Sequence, residues 1–239
     1  MAKKRWKKKE RLERVEHHVP EKGGLNSKLI LAGVVILVLA GYFVFSGGRD
    51  RGIETPPPAV IAGKYTLFSD KPSTHVAGKV TLVEFFDFTC PHCYTFHKDT
   101  WPALKNKYGD KIELIDIGIP LRDSSTPPLE AYEIAKDFGK GDEMKDALFT
   151  GFNEEGKDIT NVQILAGIAE NIGLDRAVFS DLLSSGSKAS VVESNIRLAT
   201  SYKLTGTPTV IVDGNMKSAD NSLANLQTMI DSILALDTG

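Results

Sequence analysis

"VEFFDFTCPHCYTF", residues 83–96, runs from a nearly unbroken apolar stretch into two cysteines, Cys90 and Cys93, with Pro91 and His92 between them. The 239 residues hold no other cysteine. Such a pair can be a structural staple, half of a metal site, or a redox centre. A bridge across two residues closes so small a loop that it removes little entropy from the unfolded chain. With 41% hydrophobic and 25% charged residues, the chain has globular composition and enough length for a domain that needs no staple. Zinc takes about four ligands, and beyond the thiols only His92 and His97 stand nearby, with no second cysteine pair. What remains is a redox pair, with no metal and no cofactor beyond the Cys90–Cys93 disulfide itself.

Outward from the pair the pattern is α/β. Residues 63–68 and 79–88 predict strands, the second apolar on both faces as in the middle of a sheet. From Pro91 to Tyr108 the pattern is helical, with Pro91 suited to a first turn and Pro102 expected to kink the helix. Residues 111–119 alternate as a further strand, which completes a strand-helix-strand crossover. Strand signals then vanish, and segments 127–140, 142–152, 161–173, 175–186 and 187–204 each carry helical spacing and end near glycine or a polar turn. "TPTVIVDGNM", 207–216, predicts a short strand with a turn at Asp213-Gly214, and 222–236 an amphipathic closing helix.

The N-terminal quarter is of another kind. Leu29 to Phe45 carries no charge over about 17 residues, the lower end of what spans a bilayer as a helix. Residues 1–28 hold ten Lys/Arg against four Glu, about +6 in a chain whose net charge is −2. Positive residues stay on the cytoplasmic side, so the expectation is a single-pass anchor in the cell (inner) membrane, with the N-terminus cytoplasmic and the rest extracytoplasmic. A cleaved signal peptide is the alternative, and Ser46-Gly47-Gly48 gives it only a feeble cleavage site. Either outcome places the cysteines where disulfides form, in the periplasm. Residues 46–62, rich in Gly and Pro, predict an extended linker. A basic leader before an acidic remainder gives no nucleic-acid-binding fold.

Taken together, "VEFFDFTCPHCYTF", the helical stretch of about 80 residues and "GTPTVIV" resemble a thioredoxin-fold oxidoreductase of the DsbA type, over roughly residues 63–239. The resemblance implies a thioredoxin-like domain over 63–239 with an all-helical insertion at about 121–204, preceded here by the single transmembrane helix at 29–45.

A cysteine at a helix start faces unpaired backbone N–H groups and the positive dipole end, which stabilise its thiolate. Cys90 takes that place and Cys93 follows one turn later, close enough to resolve a mixed disulfide. Pro91 fixes its own φ and so holds the turn, while His92 can add positive charge or a hydrogen bond beside the Cys90 sulfur. In DsbA proteins a thiol pKa of about 3.5 accompanies a potential of about −120 mV, against about 7 and −270 mV in thioredoxin. A stabilised reduced form is a strong oxidant, so the pair is expected to donate disulfides. Glu84 shares a strand face with Phe86 and Phe88, where an unpaired carboxylate tends to keep its proton, although a partly solvated strand-end Glu fits the same spacing. By resemblance, the matching acid lies beneath the cysteines and helps move protons. Asp87, on the opposite face, is expected to be a helix-entry or surface acid.

Thr207-Pro208 says little alone. By resemblance the proline is cis and packs against the redox pair, and the residue before it offers backbone groups to an extended client segment. Thr207 stands where the best-known DsbA proteins carry Val, and Thr also occurs in disulfide isomerases, which carry a dimerisation domain before the catalytic one; here a linker precedes Gly63. The expectation is therefore a monomeric, membrane-anchored enzyme that oxidises reduced or unfolded exported proteins. A quinone-linked membrane reoxidase is implied by the family. The alternatives are a disulfide reductase or isomerase, or a client-binding module without turnover.

Overall fold

The structure is a computed structural model that describes residues 60–238. The leader at 1–28, the span at 29–45 and most of the linker lie outside the described residues. Among the described residues no helix is long and apolar enough to cross a membrane.

Five strands form one sheet in the order β1-β5-β4-β2-β3, with β1 Tyr65–Leu67, β2 Val80–Phe86, β3 Ile112–Gly118, β4 Thr209–Val212 and β5 Met216–Ser218. The expected crossover is present, since β2 and β3 pair in parallel with Glu84 opposite Asp116. The other pairings are antiparallel. β2 lies between β4 and β3, which explains its apolar run: Leu82, Phe85 and Phe86 are fully buried on its two faces. β4 and β5 form a hairpin whose turn, Asp213-Gly214, has φ of 45° and 79°. Such a turn requires two residues at positive φ, and a Cβ on Gly214 would stand 2.9 Å from Thr74.

The first helical stretch is one path of three parts, α1 Pro91–Thr95, a π-turn Phe96–Thr100 and α2 Trp101–Tyr108. Where a kink is expected at Pro102, the helix carries this π-turn just before it. Proline offers no N–H and its ring crowds the carbonyl four residues back, so the preceding turn widens and Trp101 N–H reaches Phe96 O instead. Five helices then follow: α3 Thr126–Asp137, α4 Gly141–Asn153, α5 Val162–Asn171, α6 Arg176–Ser184 and α7 Ala189–Ser201. Asn161 and Asp175 cap α5 and α6 by accepting from Gln163 N at 2.8 Å and Val178 N at 2.9 Å. The closing helix is α8, Leu223–Leu236.

Two main cores result. Val80, Leu82, Leu104, Val210, Val212, Leu226 and Ile230 join the sheet to α2 and α8. On the other side, Phe86 and Phe88 of the sheet layer meet Tyr132 of α3 and Phe149 of α4, with Phe88 and Phe149 ring centroids 4.9 Å apart. Cys90 and Cys93 belong to this second core, so the fold holds the pair at the seam between its sheet and its helical insertion.

Candidate active site

Cys90 is the N-cap of α1, with extended backbone (φ −92°, ψ 112°), and Pro91 opens the helix behind it. The backbone N–H of Cys93 donates to Cys90 Sγ at 3.4 Å, and Cys90 Sγ donates to the Thr207 carbonyl at 3.4 Å. Both cysteines are free thiols. The Cys90 thiol is held down at about 5, first by the hydrogen bond from Cys93, against the opposing effect of burial, and then by Thr207 and the backbone N–H groups of Cys93 and His92. Burial, and then the neighbouring Cys90, push the fully covered Cys93 thiol far up. One sulfur is thus poised as thiolate and the other as thiol, an asymmetry that equips Cys90 to attack or to leave.

The Thr207-Pro208 bond is cis, and it faces the cysteine pair as expected. The Thr207 hydroxyl oxygen is buried without a hydrogen-bond partner among the described residues. His92 is different: its imidazole is exposed, and its support of the Cys90 thiolate comes through its backbone N–H. The imidazole instead lines a cavity of about 350 Å³ together with Thr95, Phe96, Pro208, Asn221 and Ser222.

Glu84 is fully buried, as its strand face predicts, and makes no hydrogen bond to either cysteine. Its Oε2 accepts from Lys145 Nζ at 3.4 Å, and its Oε1 has no partner among the described residues. Lys145 Nζ also reaches Asp116 Oδ1 at 2.6 Å and lies 4.8 Å from the Phe86 ring centroid. Burial raises the Glu84 pKa; Lys145 opposes that effect and Asp116 adds to it. A cavity of about 520 Å³, lined by His97, Asp116, Lys145 and Asp146 among others, opens beside this trio.

Sequence reasoning missed Lys145, Asp116 and Asn221. Lys145 had a signal, since it sits one helical turn before Phe149 on an apolar stripe. Asp116 carried none until its register opposite Glu84 was known. Asp87 stands at the helix entry, one of its two expected places, but not on the surface: it is fully buried, and it accepts from Thr89 N at 2.6 Å and Leu121 N at 2.7 Å. Because β2 is covered on both faces, its alternation does not separate inside from outside. Asp87 thereby ties the loop that presents Cys90 to the one that leaves β3.

Comparison with known proteins gives the family and the fold. A sequence model of the thioredoxin family matches residues 74–232. The thiol:disulfide interchange protein DsbA of Burkholderia cepacia is 27% identical over 202 residues, covering 82% of this chain and 95% of that one. The corresponding protein of Azotobacter vinelandii is 23% identical over 190 residues, covering 80% and 86%. Among solved structures, DsbA of Xylella fastidiosa superposes with a TM-score of 0.62 at 21% identity, over 73% of this chain and 95% of that one. Oxidised BdbD of Bacillus subtilis does so with 0.59 at 19%, over 72% and 93%.

Proposed function

Because this chain belongs to the thioredoxin family, as a DsbA-like protein disulfide oxidoreductase, we propose that it donates its Cys90–Cys93 disulfide to reduced, exported proteins. The observation that carries this is Cys90 at the helix start, its thiol held down at about 5 by hydrogen bonds to its sulfur.

A client thiolate attacks Cys90 Sγ. The Cys90–Cys93 bond breaks, a mixed disulfide forms, and Cys93 leaves with the electron pair. Burial makes a Cys93 thiolate costly, so it takes up a proton. We assign the supply of that proton to Glu84, which burial holds toward its neutral form. A second client thiolate then attacks the client sulfur, and Cys90 leaves as a stabilised thiolate. The client has lost two electrons and the pair has gained them. Thr207 and Pro208 provide the backbone against which an extended client segment lies, as in strand addition. An acceptor must then reoxidise the pair, a role we assign to a quinone-linked protein of the membrane.

The basic leader and the charge-free segment at 29–45 support a membrane tether with the domain on the extracytoplasmic side. Trapping tests the chemistry. Cys93→Ser should accumulate mixed disulfides with clients that disappear on reduction, and Cys90→Ser should accumulate almost none. Equal trapping, or trapping through Cys93 alone, would overturn the assignment of the nucleophile. A binding module would bind reduced client without accelerating its oxidation beyond one equivalent.

A further inference from the structure

Pro208 is held from outside its own loop. Asn221, in the segment between β5 and α8, donates from Nδ2 to the Pro208 carbonyl at 2.8 Å. A carbonyl only accepts, so this contact fixes which end of the amide points at Pro208. Asn221 Oδ1 is left buried with no partner among the described residues. An unpaired buried acceptor is unfavourable, and the contact to Pro208 is the only hydrogen bond that this side chain makes among the described residues.

The support behind Asn221 is itself built. Asp220 Oδ1 accepts from Ser222 N at 2.9 Å, Ser218 Oγ donates to Asp220 O at 2.9 Å, and Asn225 Nδ2 donates to the same carbonyl at 2.7 Å. Ser222 in turn caps α8, accepting from Asn225 N at 3.4 Å. The segment is therefore pinned on both sides of Asn221, and its amide is a fixed post rather than a swinging one. Asn221 also lines the cavity of about 350 Å³ with His92 and Pro208, beside the proposed client strand.

We propose that Asn221 is a positioning residue for client binding: it holds the Pro208 carbonyl so that the Thr207 backbone stays presented to an extended client. This rests on the disulfide-donor reading given above. The Thr207 carbonyl already faces Cys90 Sγ at 3.4 Å. Asn221 grips the next peptide unit, Pro208–Thr209; the Pro208 ring links the two units, so if that unit rocked the Thr207 carbonyl would lose its register with the client, and that rocking is what Asn221 limits.

The test uses the full chain, a dicysteine peptide whose fluorescence reports its oxidation, and oxidised glutathione as electron acceptor. Asn221→Asp keeps the size and removes the donor, placing a carboxylate oxygen against the carbonyl; Asn221→Ser keeps a shorter donor. For Asn221→Asp, KM for the peptide should rise about tenfold, the equivalent of one lost hydrogen bond, with kcat within about twofold. Asn221→Ser should recover part of the KM. An unchanged KM, or an equal fall of kcat and kcat/KM in both variants, would overturn the proposal. Absence of turnover in the unaltered protein would instead overturn the disulfide-donor reading on which it rests.

Discussion

Lys145 Nζ stands 3.4 Å from Glu84 Oε2, a lysine that reaches an interior strand of the sheet, β2, from a helix 61 residues further along the chain. The same ammonium holds Asp116 at 2.6 Å, so one cation serves two carboxylates in a nearly dry place. Removing it strands both. Lys145→Met should cost about 3 kcal/mol or more at mildly alkaline pH. The cost should shrink on acidification: a carboxyl whose folded pKa is raised is favoured in its protonated form, and that advantage fades as pH rises through the folded value. Urea unfolding at about pH 5 and about pH 8 checks this. Equal costs at both would contradict it.

A second prediction concerns Cys90. Its folded pKa, about 5, is depressed from an ordinary value near 9, so its thiolate contributes stability that is fully present above 9 and lost as pH falls through 5. The reduced protein should therefore gain stability over Cys90→Ala as pH rises between those values. Four units at about 1.36 kcal/mol set a ceiling of about 5 kcal/mol, and screening by water at the helix start leaves a few. Thermal unfolding of the two reduced proteins along that range reads the difference directly. A flat difference would mean that the thiolate is not stabilised.

A third lies away from the cysteines. His75 is clasped by two carboxylates, Nδ1 to Asp213 and Nε2 to Asp237, each at 2.8 Å, and so ties the loop before β2 to the β4–β5 turn and the end of α8. Asp237 and then Asp213 raise its pKa against burial. The clasp is thus fully present below about 6.5 and loosens as pH rises through the folded value. His75→Gln should cost about 1 kcal/mol at mildly acidic pH and less at alkaline pH. The reverse order in chemical denaturation would refute the clasp.

A fourth isolates Thr207. Thr207 helps to lower the Cys90 pKa, and its hydroxyl, buried beside the pair, makes no hydrogen bond among the described residues, so the sulfur is the acceptor left for it to turn toward. Thr207→Val, nearly the same in shape, should therefore raise the Cys90 pKa while leaving the fold intact. Thiolate absorbance against pH measures it. An unmoved titration would assign the effect to the hydrogen bond from Cys93 and the backbone N–H groups of Cys93 and His92, with no part for the Thr207 hydroxyl.

Much of this was legible in the sequence because it rests on local rules. Strand, cysteine pair and helix are consecutive in residues 83–96, so the helix-start geometry of Cys90 follows from adjacency alone. Glu84 was legible because an acid in an apolar strand has few places to go. Its partners were not, since Lys145 and Asp116 meet it only through packing and strand register. Asp87 was half legible: it stands at the helix entry, as the sequence allows, but is buried rather than on the surface, because the sheet layer is covered on both faces and alternation there marks no outside. Asn221 lies in a polar turn, where periodicity says nothing, and its contact with Pro208 comes from the way the end of the sheet meets α8. Long-range polar contacts are what sequence pattern sees least.

The central claim is that the Cys90–Cys93 pair is an oxidant because its reduced form is stabilised as the Cys90 thiolate. Equilibration of the full chain with glutathione buffers gives the reduction potential directly. The account predicts a value well above thioredoxin's about −270 mV and toward the about −120 mV of DsbA proteins. A potential near −270 mV, with a Cys90 thiol titrating near its ordinary value, would contradict it and make the protein a reductase or a binding module.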